Sequence, residues 1–341
     1  MDKPWRVTVV GDGGWGSAVA KLLVERGHAV RMWGHDPAYL DELARTRENR
    51  KFLPGIELPE ALAFEADLGR AVEDAGLVVV AVPTRYLRAS LERAPAGALQ
   101  RAQAQAGTRV LSLVKGLEPE TRARPSEVIA EVWQVQDVAI LSGPSHAEEV
   151  ARNLPCTVTL AARDPAEARA LQAVFMGPRL RVYTSTDVKG VELGGALKNV
   201  IAVAVGVCEG LALGDNARAA LMTRGLAELA RLGTALGGRP ETFSGLSGMG
   251  DLITTCVSGY GRNRGVGLAL ARGESLQNIL ARSEQVPEGV FACAAARALA
   301  REHGVDAPIT EALYEILHQG KRPREAVDEL MTRAPKPERA G

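Results

Sequence analysis

Residues 6–33 read RVTVVGDGGWGSAVAKLLVERGHAVRMW, and the changes of rhythm along them decide the fold. RVTVV (6–10) and AVRMW (29–33) are short β-branched apolar runs, and SAVAKLLVERG (17–27) between them has helical spacing. Strand and helix are joined by Gly11-Asp12-Gly13-Gly14-Trp15-Gly16. Gly11 permits a tight turn, Gly13 lets the backbone approach a pyrophosphate, and Gly16 lets the helix pack closely on the sheet. The helix start adds free N–H groups and the positive end of a dipole. A glycine-rich turn alone is weak evidence, but strand, turn, helix and second strand in this order make a Rossmann unit. Gly11, Gly13, Gly14, Trp15 and Gly16 are therefore candidate dinucleotide contacts.

Outward from this unit the alternation continues. LVVVAV (77–82), RVLSLV (109–114), VAILS (138–142), CTVTLAA (156–162) and LRVY (180–183) read as strands buried on both faces of a mostly parallel sheet. Asp164-Pro165 followed by Glu167 gives an N-cap, a proline at the first helical position and a capping-box acid for the helix ending near Gly177-Pro178. After about Thr184 the strand-like runs stop, and Ala/Leu-rich segments of helical period extend to about Leu330. The expected fold is α/β, a Rossmann-like mostly parallel sheet domain (1–186) followed by an all-helical C-terminal domain (187–332) and a loose tail (333–341).

A chain of 341 residues, 46% hydrophobic, is long enough for two cores. Its 41 basic and 41 acidic side chains cancel, which argues against a nucleic-acid partner. Cys156, Cys208, Cys256 and Cys293 form no CxxC pair and no metal-ligand spacing, so reduced thiols and no metal site are expected. The first residues run straight into RVTVV without a secretory signal, and the longest uncharged apolar run, Val200 to Cys208, falls short of a membrane span. These features suit a soluble cytoplasmic protein without membrane insertion.

The second strand ends at Met32-Trp33, where a Rossmann unit commonly places an acid for the adenosine ribose. Asp36 comes after Gly34-His35, while Arg31 and His35 are placed to face a 2′-phosphate. Neither NAD nor NADP is excluded. Three further segments set polar groups in small or apolar surroundings: Val114-Lys115-Gly116 at a strand end, SGPSHAE (142–148) between strand and helix, and GGALKN (194–199) within an apolar helix. Small residues one turn before Lys198 would let a cofactor lie close, and burial would lower its pKa toward proton donation. A lysine in such a helix also snorkels to solvent. His146 is a rival acid, or a capping residue.

The combination GxGxWG, WGHD, FLPG (52–55), VPT (82–84), VKGLE (114–118), GPSHAEE (143–149), GGALKNV (194–200), GLSGMGDLITTC (245–256) and GRNRGVG (261–267) resembles bacterial NAD(P)-dependent glycerol-3-phosphate dehydrogenase. The likeness runs from residue 11 to PITEALYEIL (308–317). It implies cofactor contacts at Gly14, Trp15, His35, Lys115, Ala147, Arg262, Val286 and Glu288, with NADP or NAD bound. It implies substrate contacts at Lys115, Gly143, Ser145, Lys198, Asp251, Gly261, Arg262 and Asn263, with Lys198 moving the proton and Asp251 orienting it. Thr255 matches a threonine near the substrate in eukaryotic relatives. The implied small-molecule partners are dihydroxyacetone phosphate and glycerol 3-phosphate, with a role in phospholipid synthesis, and a homodimer is possible.

Three positions depart from the family pattern. Asp12 and Gly14 replace the usual small residue and Ser/Ala, setting a carboxylate near the pyrophosphate site, and Gly261 stands where serine is usual. Arg262 is the expected phosphate clamp, although GRNR also suits a basic surface loop and Asp251 a helix cap. The competing functions are a β-hydroxyacid dehydrogenase, which would aim that cation at a carboxylate, and an NAD(H)-sensing module without turnover.

Overall fold

The computed structural model describes residues 4–283 and 286–338. Eight strands form one sheet in the order β3-β2-β1-β4-β5-β6-β7-β8: β1 Arg6–Val10, β2 Ala29–Trp33, β3 Ala63–Glu65, β4 Leu77–Val80, β5 Arg109–Ser112, β6 Ala139–Ser142, β7 Cys156–Ala161 and β8 Leu180–Ser185. Every pairing is parallel except β6 with β7. The first six strands thus take the 3-2-1-4-5-6 order of a dinucleotide-binding sheet. Val7, Val9, Leu77 and Val79 pack on one face, and Val10, Val78 and Val80 on the other, so the central strands are apolar throughout their length.

Differences from the expected elements are local. β3 went unrecognised because it is a three-residue edge strand without a buried residue. The expected strands 77–82 and 109–114 stop at Val80 and Ser112, where the chain leaves the sheet. Asp164 does cap its helix, Pro165–Phe175, by accepting from Ala166 N at 2.9 Å. Glu167, expected to complete a capping box, instead pairs with Arg109 at 2.9 Å.

Beyond β8 all named elements are helical. Asp187 starts the 23-residue helix Val188–Gly210 by accepting from Gly190 N. This helix is long and apolar enough to cross a membrane by length and composition, but 94% of its apolar window is buried inside the protein. A helix apolar all round is a core helix. Helices Gly214–Ala235, Arg262–Ala271 and Glu288–Glu302 pack around it. Residues 339–341 of the expected loose tail lie outside the described residues.

Candidate active site

The glycine loop has the shape a pyrophosphate requires. Gly11 has φ +122°, and a Cβ there would lie 2.9 Å from the Ala81 carbonyl, so only glycine makes this turn at this distance from β4. Helix α1 (Gly14–Glu25) begins after Gly13 with no side-chain cap, and a Cβ on Gly13 would meet nothing within 4 Å. Uncapped N–H groups therefore face open space. Trp15 beside them keeps a buried Nε1 without a hydrogen-bond partner. Ala147, at the start of helix Ala147–Ala151, closes the other side, its Cβ 3.8 Å from where a Cβ on Gly14 would stand. These residues fit a dinucleotide.

At the end of β2 the geometry corrects two expectations. Asp36 accepts from Ala38 N at 3.0 Å and Tyr39 N at 3.4 Å, capping helix α2 (Pro37–Thr46). Arg31 donates to the Arg70 carbonyl at 2.9 Å and to Asp74 at 3.1 Å, so its guanidinium is engaged within the sheet's own periphery. His35 is exposed, and Arg93 donates to its carbonyl at 2.8 Å. Arg93, unmarked in the sequence because it follows an ordinary amphipathic helix, brings a cation to this edge. The Asp12 carboxyl packs against Gly34, where a Cβ would lie 2.6 Å from its Oδ2.

The chemistry-bearing centre lies where the carboxyl ends of β5 and β6 meet the helical region. Lys198, 5% exposed in mid-helix, donates to Asp251 Oδ1 at 2.5 Å and Thr255 Oγ1 at 2.5 Å. Lys115, from the loop after β5, reaches the other oxygen of Asp251 at 2.8 Å, and also the Gly143 carbonyl at 2.9 Å and Ser145 Oγ at 3.2 Å. One buried carboxylate thus bridges two ammonium groups. Burial pushes Lys198 down to about 8; Asp251 opposes that shift and Lys115 adds to it. Burial alone would raise Asp251, but the two lysines hold it below the usual carboxylate range.

Backbone features aim these groups. A π-helical turn, Leu246–Gly250, precedes helix Asp251–Val257 and sets the Asp251 side chain inward rather than across the helix start as a cap. Gly194 and Gly195 allow close protein packing. A Cβ on Gly194 would lie 2.8 Å from the Ser247 carbonyl, and one on Gly195 2.6 Å from Ser142 Oγ and 3.5 Å from the Lys115 stem. Lys198 does not snorkel. His146 is hydrogen-bonded outside the cluster, its Nε2 3.4 Å from the Thr254 carbonyl, and burial, with Lys198 adding, lowers its pKa.

Helix Arg262–Ala271 starts beside this centre with Gly261 as an N-cap that offers no side-chain bond. A Cβ on Gly261 would lie 2.8 Å from the Thr255 carbonyl, which explains glycine where serine was expected. Arg262 keeps an exposed side chain, although surrounding protein atoms lower its pKa by desolvation and Glu148 and Glu288 oppose that shift. Arg264 instead forms a bidentate pair with Glu209, so only part of GRNR is a surface-type ion pair. Asn263 donates to Asn199 Oδ1 at 3.0 Å, and Asn199 donates to the Lys115 carbonyl at 3.3 Å. Asn199 in GGALKN and Thr84 in VPT belong to motifs marked in the sequence, but neither was given a role of its own. Glu288 accepts from Thr84 N at 2.9 Å, tying the start of helix Thr84–Leu91 to helix Glu288–Glu302, and burial pushes Glu288 up to about 7. Val286 lies half-buried just before it. Lys115, Gly143, Ser145, Lys198, Asp251 and Thr255 are thus one hydrogen-bonded cluster, joined to Asn263 through Asn199. Gly14, Trp15 and Ala147 form a second group, and His35 is on the far edge by β2.

Among the described residues no group of three or more His, Cys, Asp or Glu side chains could hold a metal ion. Models of the NAD-dependent glycerol-3-phosphate dehydrogenase N-terminus and C-terminus match residues 6–168 and 187–328. A glycerol-3-phosphate dehydrogenase (NAD(P)+) of Moorella thermoacetica is 50% identical over 327 residues, 96% of this chain and 96% of that protein. One from Geobacillus thermodenitrificans is 48% identical over 336 residues, covering 97% and 96%. The crystal structure of glycerol-3-phosphate dehydrogenase from Coxiella burnetii matches with a TM-score of 0.89 at 36% identity, covering 97% of this chain and 99% of that one. With both halves matched and identity of this order along nearly the whole length, the chain belongs to the NAD-dependent glycerol-3-phosphate dehydrogenase family.

Proposed function

We propose that this chain interconverts dihydroxyacetone phosphate and sn-glycerol 3-phosphate with NADH or NADPH, and that Lys198 moves the proton. The observation that carries this reading is the buried row Lys198–Asp251–Lys115, in which a lysine held at about 8 can both hold and release a proton near neutrality. When bound, the nicotinamide would supply a hydride for the carbonyl carbon. Gly11, Gly13, Gly14, Trp15, Gly16 and Ala147 would hold the dinucleotide, with Val286 and Glu288 closing on it from the helical side. Lys198 Nζ gives the proton to the carbonyl oxygen as it becomes a hydroxyl, and Asp251 keeps the ammonium oriented between turnovers. Lys115, also bonded to Asp251, keeps that carboxylate ionised and adds positive potential where oxyanion charge develops. Arg262, with the N–H groups at the start of its helix, grips the phosphate, and Asn263, Ser145 and Gly143 fix the hydroxyl end.

In this reading residues 1–186 carry the coenzyme, 187–332 carry the substrate, and 333–341 take no part. The protein works in the cytoplasm, reducing dihydroxyacetone phosphate for phospholipid backbones. The test is oxidation of NADH and NADPH, followed by absorbance, on adding dihydroxyacetone phosphate. Turnover with a β-hydroxyacid but not the triose phosphate would assign Arg262 to a carboxylate instead. Coenzyme binding without turnover on either would leave a sensing module.

A further inference from the structure

A Rossmann unit ordinarily ends its second strand on an acid that accepts hydrogen bonds from the adenosine ribose. Here β2 ends at Trp33 and the next residue is Gly34, which has no side chain to offer. The room is nevertheless filled. A Cβ built on Gly34 would lie 2.6 Å from Asp12 Oδ2, 2.8 Å from Asp12 Cγ and 3.0 Å from Leu40 Cδ2. A carboxyl group delivered from the glycine loop thus stands where a side chain from the strand end would begin. Asp12 is 8% exposed, and its Oδ2 has no hydrogen-bond partner. A buried acceptor without a donor is costly unless a ligand or water supplies one. Burial accordingly pushes its pKa up, while its own backbone N–H, His35 and Lys51 pull the other way. The other nearby acid, Asp36, is spent on capping α2.

We infer that Asp12 replaces the strand-end acid as reader of the adenosine ribose, and that it biases the chain toward the coenzyme without a 2′-phosphate. Ribose hydroxyls can donate to the orphaned carboxyl; a 2′-phosphate has only acceptor oxygens when ionised and carries like charge. Arg93 and His35 at the same edge temper the bias, so NADPH still binds. The inference rests on the coenzyme reading above and depends on no assay of turnover.

Calorimetric titration of NADH and NADPH into the wild-type chain, D12A, D12N, G34D and the double variant D12A/G34D tests it. The wild type is expected to bind NADH about tenfold more tightly than NADPH, and D12A to shift that ratio toward NADPH by about 10- to 100-fold. D12N keeps an acceptor but loses the charge, so it gains NADPH affinity with less loss of NADH affinity. G34D alone sets two carboxyls in one space and should lose both coenzymes or melt early. The double variant, which moves the acid back to the strand end, should restore NADH preference. A D12A protein with wild-type melting temperature whose ratio moves less than about threefold overturns the role of Asp12 and leaves the dehydrogenase reading intact. A stable double variant that stays indifferent overturns it as well. Failure of the wild type to bind either coenzyme removes both readings.

Discussion

Replacing Lys198 by alanine should separate binding from chemistry. The ammonium lies in the helical half, 5% exposed and bonded at 2.5 Å to Asp251 and Thr255, both outside the glycine loop. Coenzyme affinity should therefore change little. Loss of a positioned proton donor costs about 10²–10⁴-fold in rate, equivalent to roughly 3–5 kcal/mol in the barrier. The pH profile gives a second, independent reading. Lys198 must be protonated to assist reduction, and burial has lowered it from 10.5 to about 8. The wild-type rate of dihydroxyacetone phosphate reduction should hold below about pH 8 and fall about tenfold per unit above it, whereas oxidation of glycerol 3-phosphate should rise through the same range. Burial holds His146 below its ordinary 6.5, so a limb belonging to it would appear on the acid side instead. The assay is absorbance of the reduced nicotinamide at saturating coenzyme from pH 6 to 10, with coenzyme affinity measured by calorimetry on the same variant. A variant that keeps more than about a tenth of the wild-type kcat, or retains the limb near 8, would refute the assignment of Lys198 and direct attention to His146.

Arg262→Ala should lower kcat/KM for dihydroxyacetone phosphate by about 30- to several-thousand-fold, corresponding to loss of one partner of a ~2–5 kcal/mol charge pair. Unphosphorylated dihydroxyacetone should lose much less, and equal losses at saturating coenzyme would show that Arg262 does not read the phosphate. Asp251→Asn strips the shared counter-charge from Lys198 and Lys115, so it should cost about 3–5 kcal/mol of stability and depress the melting temperature by several degrees, read by scanning calorimetry. Gly13→Ala places a methyl where no atom beyond its chain neighbours lies within 4 Å; the fold should melt as wild type while coenzyme affinity falls at least tenfold, measured by titration. Unchanged affinity in that variant would move the pyrophosphate away from α1.

How much could be read in advance follows from the range of each signal. The Rossmann unit is local, since strand, turn, helix and strand lie within residues 6–33, and its elements appear where the apolar periods change. Edge strand β3 has no such period, and the ends of β4 and β5 turn toward the site before their apolar runs finish. The lysine and carboxylate row is different in kind. Lys115 and Asp251 are 136 residues apart, and Lys198 and Asp251 53 apart, so no spacing rule unites them, and only likeness to a family marked them together. The directions of Asp12 and Arg31 were also beyond the sequence. Each depends on a neighbour, Gly34 for one and Asp74 for the other, that is joined only when the sheet forms.

The widened turn at Leu246–Gly250 makes chain length itself part of the active centre. A π-helical turn holds one residue more than the α-helical turn it interrupts. Removing that residue would rotate everything after it by about 100° about the helix axis. Asp251 would leave the two lysines, and Leu252 and Cys256, now buried among apolar side chains, would take the angular places of Asp251 and Thr255. No side chain in LSGMG touches the reacting groups through chemistry of its own, so a comparison that scores only residue identity would rate a one-residue deletion there as minor. The carboxylate is aimed by a count of residues, and a shortened relative with every polar group preserved would still lose its proton machinery.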